Sequence, residues 1–243
     1  MRTIELKHSF IRIKDKEQVS FGGNQDWFPQ KRLAYYGCGL VSVGDIILYL
    51  TKNGKMVPQA IDKQVIGQEI IEQTEYLDYL RKLSQRFFYI SYCIRGITGP
   101  MLALGFNLMS MMSKSPYRAV WGVPVSKIHR AVMKMLEKDI PVLFSVGANF
   151  PRIWRKEGIT LYQKSVPHPA DEKTDAPVLI CCGSTHKHYM TITGIIQDER
   201  NGELLRISSW GKEYYVKWEE YETFIRQNSM AFFSNILYIT EKH

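Results

Sequence analysis

The sequence predicts an α+β domain in which helices come first and a mostly antiparallel sheet follows. Three observations carry this expectation. Leu40 to Leu50 (LVSVGDIILYL) is apolar almost all round, as a helix buried on every side must be. Ala60 to Phe88 and Val125 to Glu137 confine their charges to one face, the pattern of amphipathic helices. From Val178 to Ile239, short apolar runs separated by turn residues replace the helical period.

In chain order, Ile11 to Ile13 is a short strand-like lead into a loop rich in Gly22, Gly23, Asn24 and Pro29. The buried helix Leu40 to Leu50 comes next, then one or two amphipathic helices over Ala60 to Phe88. Pro100 to Met112 reads as a further buried helix, with Met101, Met109, Met111 and Met112 filling the core or lining a pocket. After the helix Val125 to Glu137, Pro141 to Val146 (PVLFSV) is a short buried strand. Residues 149 to 177 hold four prolines and many charges, and read as a long excursion bordering a cleft. Strands are expected at Val178 to Cys182, His188 to Ile196, Leu204 to Ser209 and Tyr214 to Trp218. A short helix, Glu219 to Arg226, and a last strand, Ala231 to Ile239, complete the pattern. With no internal repeat, low-complexity tract or linker, residues 1 to 243 read as one domain, helical over about 38 to 138 and sheet-forming over about 140 to 243.

Composition excludes several function classes. Hydrophobic residues make up 45% of the 243 residues and charged ones 23%, as in soluble globular proteins. The start, MRTIELKHSF, lacks a signal-peptide pattern, and no apolar run reaches the roughly 18 to 20 residues a membrane helix needs, so a cytoplasmic location without membrane insertion is expected. The net charge of +8 comes from scattered residues, with small clusters at Lys31–Arg32, Arg81–Lys82 and Arg152–Arg155–Lys156. They form no basic stripe interleaved with stacking aromatics, so nucleic acid is not an expected partner. A solvated basic surface can still attract acidic substrates. Cys38, Cys93, Cys181 and Cys182 are too few and too irregular for a disulfide framework and read as free thiols. Adjacent Cys181 and Cys182, even with His186 nearby, lack the spacer of a zinc site. His186 and His168 read as surface or loop histidines. No cofactor is implied.

The chemistry concentrates around Cys38, in Tyr36-Gly37-Cys38-Gly39 directly before the buried helix. A thiol at a helix start meets free N–H groups and the positive dipole end, which favour thiolate. Gly37 and Gly39 are expected to permit a sharp turn and leave room for substrate. His188 heads the strand His188 to Ile196, where alternation places it on one face with Met190 and Ile192. Gln25, in Asn24-Gln25-Asp26-Trp27-Phe28, lies in the loop before the helix. Its amide and the Cys38 backbone N–H could together hold an oxyanion. Ile207-Ser208-Ser209-Trp210-Gly211 is a strand end where a third group could orient the imidazole.

This order of residues resembles the papain-like cysteine peptidases, nearest the bacterial branch related to bacteriocin-leader peptidases. Gln25, the Gly-Cys-Gly helix start at Cys38, and His188 on a strand ending in Thr193-Gly194 match that family's islands. Ser208-Ser209-Trp210-Gly211 resembles its Asn-Ser-Trp-Gly, and Trp218-Glu219-Glu220-Tyr221 resembles the short helix that follows in the leader-peptidase branch. The likeness spans roughly residues 20 to 228, and residues 55 to 120 and 149 to 177 match nothing in it.

The resemblance implies a papain-like fold, with the Cys-bearing helix packed on the sheet, and a hydrolase acting on a peptide or amide substrate. His188 would take the Cys38 proton or form an ion pair with it. Cys38 would form an acyl-enzyme, Gln25 and the Cys38 N–H would hold the oxyanion, Ser208 would orient His188, and Trp210 would shield that contact. Gly37, Gly39 and Trp27 would line the site. Where the family has Asn or Asp, this chain has Ser208, which carries no charge. Two alternatives therefore stay open: a weak or inactive peptidase-fold binding protein, and an acyl or peptidyl transferase on the same scaffold.

Overall fold

The computed structural model describes residues 3–59, 63–90, 96–152, 154–165 and 178–242. It is a mixed α+β structure with a mostly antiparallel sheet.

The chain opens with β1 (Ile4–Glu5) and the hairpin β2 (Arg12–Asp15) and β3 (Gln18–Phe21). A 3₁₀ turn at Gln25–Trp27, capped by the Asn24 side chain on the Asp26 N–H, leads into the short α1 (Lys31–Tyr36). Gly37 ends α1 and starts α2 (Cys38–Lys52), so Cys38 is the first residue of the buried helix. Every α2 residue from Gly39 to Thr51 is buried. Each fully buried Leu or Ile there contributes roughly 1.5–3 kcal/mol by leaving water.

β4 (Ile71–Glu72) pairs parallel with β2 and leads into α3 (Gln73–Arg86), which buries Tyr76, Tyr79, Leu80 and Leu83 at helical spacing. One helix therefore occupies the second part of the stretch expected to hold one or two. Residues 63–70 form turns instead, and 60–62 lie outside the described residues. α4 (Gly99–Met112) starts at a Thr98 cap with a proline in its first turn. It buries Leu102, Phe106 and Met109, yet Met111 and Met112 are exposed, so only part of the methionine run is core.

β5 (Tyr117–Trp121) was not legible in the sequence. It is buried on alternate residues and pairs with the last strand, β12 (Leu237–Glu241). α5 (Ile128–Glu137) is one 3₁₀ turn shorter than its amphipathic pattern. β6 (Val142–Val146) is buried at every residue, as its apolar run requires.

The excursion after residue 149 contains a further unforeseen strand, β7 (Ile159–Lys164), which pairs with β8 (Leu179–Thr185). Then follow β9 (His188–Asp198), β10 (Gly202–Ser209), β11 (Lys212–Lys217) and α6 (Trp218–Asn228). The large sheet runs β1-β9-β10-β11-β7-β8, with β6 also on β9. β9 is its spine, and α2 packs across β9 and β6.

One buried carboxylate ties the N-terminal segment to this body. Asp139 takes a left-handed φ of +58° just past α5. It accepts from the Lys7 N–H at 2.8 Å and the Tyr49 hydroxyl at 2.5 Å, and faces His8 Nδ1 at 2.9 Å. Burial pushes the carboxyl up, but these hydrogen bonds and Lys55 outweigh it and hold the group below its ordinary value. Its contribution is therefore full above the unfolded value and lost as pH falls through the depressed one. Asp139→Ala is expected to cost about 2–3 kcal/mol near neutral pH, read from the urea midpoint, because it leaves buried donors unpaired. A change under about 0.5 kcal/mol, the usual range for a surface substitution, would contradict this role.

Candidate functional site

The site forms where the tip of α2 meets the start of β9. Cys38 is half-buried at the tip of α2, where the backbone N–H groups of Tyr189, Gly39 and Cys38 itself favour the thiolate form of its sulfur. Tyr189 directly follows His188, so these backbone groups place the thiol beside the start of β9. Cys38, His188 and Gln25 line one crevice, together with Gly23, Val41, Ser42, Asp45, Tyr189, Thr191, Ser208, Ser209 and Trp210. It is tight, with a cavity volume of about 10 Å³, roughly the room of one water.

The imidazole is positioned by β10 and the turn after it. His188 Nε2 lies 2.8 Å from Ser209 Oγ. The partner expected from the sequence was Ser208, and the register explains the difference. Arg206 pairs with Gly194, but Ile207 pairs with Ile192, so Thr193 is left over as a bulge on β9. Without that bulge Ser208 would oppose Ile192, on the face of His188. With it, Ser208 opposes Thr191 and Ser209 takes the face of His188. Ser208 instead donates to the Phe21 carbonyl at 2.8 Å, fastening the end of β3.

Trp210 and Gly211 form the two-residue turn between β10 and β11, with φ of +48° and +71°. A bulky residue rarely takes such a φ, and this turn type demands it at both positions. The result is functional in form: the Trp210 ring stacks flat on His188, centroids 4.0 Å apart and planes 3° apart.

Burial dominates the electrostatics. It pushes the Cys38 thiol above its ordinary value, with the three N–H groups opposing only in part. The same cause lowers His188 to about 3. At neutral pH the pair is thiol and neutral imidazole, so the thiolate favoured by a helix dipole is not the resting state.

No family model, curated protein or solved structure matches this chain.

Gly37, Gly39 and Trp27 do not line the crevice. A Cβ at Gly37 would overlap the Leu33 carbonyl oxygen, so glycine permits the sharp break between helices. A Cβ at Gly39 would sit 2.7 Å from Ile97 and 3.2 Å from Tyr189, so the space there serves packing and not substrate. Trp27 packs edge-on against Tyr76 at 6.2 Å. Among the described residues of 149–165 none lines the crevice either, and 166–177 lie outside the described residues with His168.

Cys181 and Cys182 are exposed free thiols on β8, His186 is half-buried, and Cys93 lies outside the described residues. A more open cleft of about 510 Å³ adjoins the site through Tyr189, lined by Ile97, Lys187, Phe232 and Phe233 among others.

Sequence reasoning missed Ser209, the Tyr189 N–H and Asp45. For Asp45 a signal was present: a single carboxylate inside LVSVGDIILYL must either be satisfied or shift its protonation.

His188 is expected to stay neutral through mildly acidic pH. Its imidazole carbon-bound protons, followed by NMR, should show no titration between pH 5 and 8. A midpoint near the ordinary 6.5 would contradict the buried, stacked geometry.

Proposed function

We propose that this protein is a papain-like cysteine hydrolase that cleaves a peptide or amide bond through an acyl-enzyme on Cys38. The single observation that carries the reading is the convergence of Cys38, His188 and Gln25 on one crevice, with Trp210 stacked on the imidazole. The charge state fits a concerted start. His188 is neutral and the thiol protonated, so proton transfer accompanies attack instead of preceding it.

The base role requires the tautomer in which Nε2–H donates to Ser209 Oγ, leaving Nδ1 to take the thiol proton. As the S–C bond forms, the carbonyl oxygen gains charge and is held by the Gln25 amide and the Cys38 N–H. Protonated His188 then gives its proton to the leaving amine as the C–N bond breaks. Water, deprotonated by His188, hydrolyses the thioester and restores the thiol. Ser209 fixes the ring's orientation, the main duty of a third member, and Trp210 covers that hydrogen bond. The cleft at Ile97 and Phe233 offers room for the substrate's side chain beside the tight reaction centre.

A weakly reactive binding protein on the same scaffold is the second reading. The uncharged Ser209 and the tight crevice favour it.

Incubation with p-nitrophenyl acetate and mass analysis of the acylated peptide separates the two. Acylation is expected at Cys38 ahead of Cys181 and Cys182, and His188→Ala should slow it about 10²–10⁴-fold. Ser209→Ala should slow it more than Ser208→Ala. Acylation spread evenly over the exposed cysteines, and unchanged in His188→Ala, would sink the hydrolase reading. An added amine that captures the acyl group ahead of water would reassign the enzyme as a transferase.

A further inference from the structure

Asp45 lies two turns along α2 from Cys38 and is 1% exposed. Its two oxygens have separate partners on separate elements. Oδ2 accepts from the Gly23 N–H at 2.9 Å, and Oδ1 accepts from the Tyr76 hydroxyl of α3 at 2.6 Å. Gly23 begins the short approach to Gln25, and the Trp27 ring at the far end of that turn packs edge-on against Tyr76. The carboxylate and its tyrosine thus hold both ends of the segment that carries Gln25.

The approach is close enough to require glycine twice. Gly22 has φ +76°, and a Cβ there would overlap Ser208 Oγ and come within 2.8 Å of Asp45 Oδ2. A Cβ on Gly23 would overlap the Tyr76 hydroxyl.

The same segment is fastened on its other side to the turn beside His188. The Phe21 N–H donates to the Gly211 carbonyl at 2.9 Å, and the Gly211 N–H donates to the Gly23 carbonyl at 2.9 Å. Residues 21–23 therefore run between Asp45 of the Cys38 helix and the turn whose Trp210 covers His188.

We propose that Asp45 is a positioning residue of the candidate site: with Tyr76 it clamps residues 22–27 so that Gln25 stands at the crevice holding Cys38 and His188. Its consequence for catalysis rests on the hydrolase reading, but the clamp does not. Burial lifts the carboxyl to about 7, against the pull of Tyr76 and Gly23. Protonated, it would still accept from Gly23 while donating to Tyr76, so the clamp needs hydrogen bonds and not charge. An asparagine can do the same.

Hydrogen exchange tests the clamp without reference to activity. In Asp45→Ala the amides of residues 23–27 are expected to exchange about tenfold faster or more, the loss of a buried hydrogen bond. Those of Leu40 to Tyr49 should hold their protection, and Asp45→Asn should restore the loop. Loop amides that keep their protection, or loop and helix amides that speed up together, would overturn the proposal. If Asp45→Ala does not fold, Tyr76→Phe removes one arm of the clamp and takes its place.

Two reagents then read the catalytic consequence. Acylation by p-nitrophenyl acetate passes through an oxyanion, whereas alkylation by iodoacetamide does not. Asp45→Ala should slow the first far more than the second, and should add little further slowing in a Gln25→Ala background. Equal slowing of both reactions would make Asp45 structural only. Absence of Cys38-dependent acylation in the unaltered protein would sink the hydrolase reading, and the exchange result alone would then decide the clamp.

Discussion

Everything at this site depends on the seating of the α2 tip against the first residues of β9. Cys38, at that tip, lines one crevice with His188 and Tyr189, the first two residues of the strand. That seating is made possible by apolar packing far from the chemistry. α2 is buried along nearly its whole length, and its slide or rotation would expose Leu and Ile side chains on some face. The helix is thereby a rigid mount, as a positioned nucleophile requires. Gly39 completes it, because any larger residue would hold the helix away from Ile97 and Tyr189.

The same burial sets the chemical state. A thiol and an imidazole withdrawn from water both favour their neutral forms, whatever the helix dipole adds. On the proposed hydrolase reading, reactivity arises when a substrate brings its carbonyl to the thiol and imidazole, with charge appearing only in the transition state. Preorganised donors matter most under that condition, since no resting ion pair does part of the work in advance. The stacked Trp210 and the hydrogen-bonded Ser209 hold the ring without lending it charge.

Much of this was legible in the sequence, and the exceptions have identifiable causes. LVSVGDIILYL reads as a buried helix because no face of it is polar, and PVLFSV as a buried strand for the same reason. The positions of Cys38, His188 and Gln25 follow from a helix start, a strand start and the loop before the helix. Ser209 was not legible, because a one-residue bulge at Thr193 reverses which side chains face His188, and such bulges leave no mark in a period-two pattern. Trp210 could be placed near the site, but its stack requires a left-handed turn that an aromatic residue gives no reason to expect. β7 was hidden in a stretch judged by its prolines and charges, although Ile159 and Leu161 alternate inward as a half-buried strand should. Asp45 was visible, and its partners were not: Gly23 and Tyr76 lie 22 and 31 residues away in the chain.

The Cys38 thiol and the His188 imidazole share one crevice. A short bis-electrophile such as 1,3-dibromoacetone, which alkylates a thiol and then any nucleophile within reach of its three-carbon bridge, measures that directly. After digestion, the expected product is a single cross-linked peptide pair joining Cys38 to His188, absent in His188→Ala. Mono-alkylated Cys38 with an unmodified imidazole, or a bridge from Cys38 to some other side chain, would place the two groups apart and contradict the account.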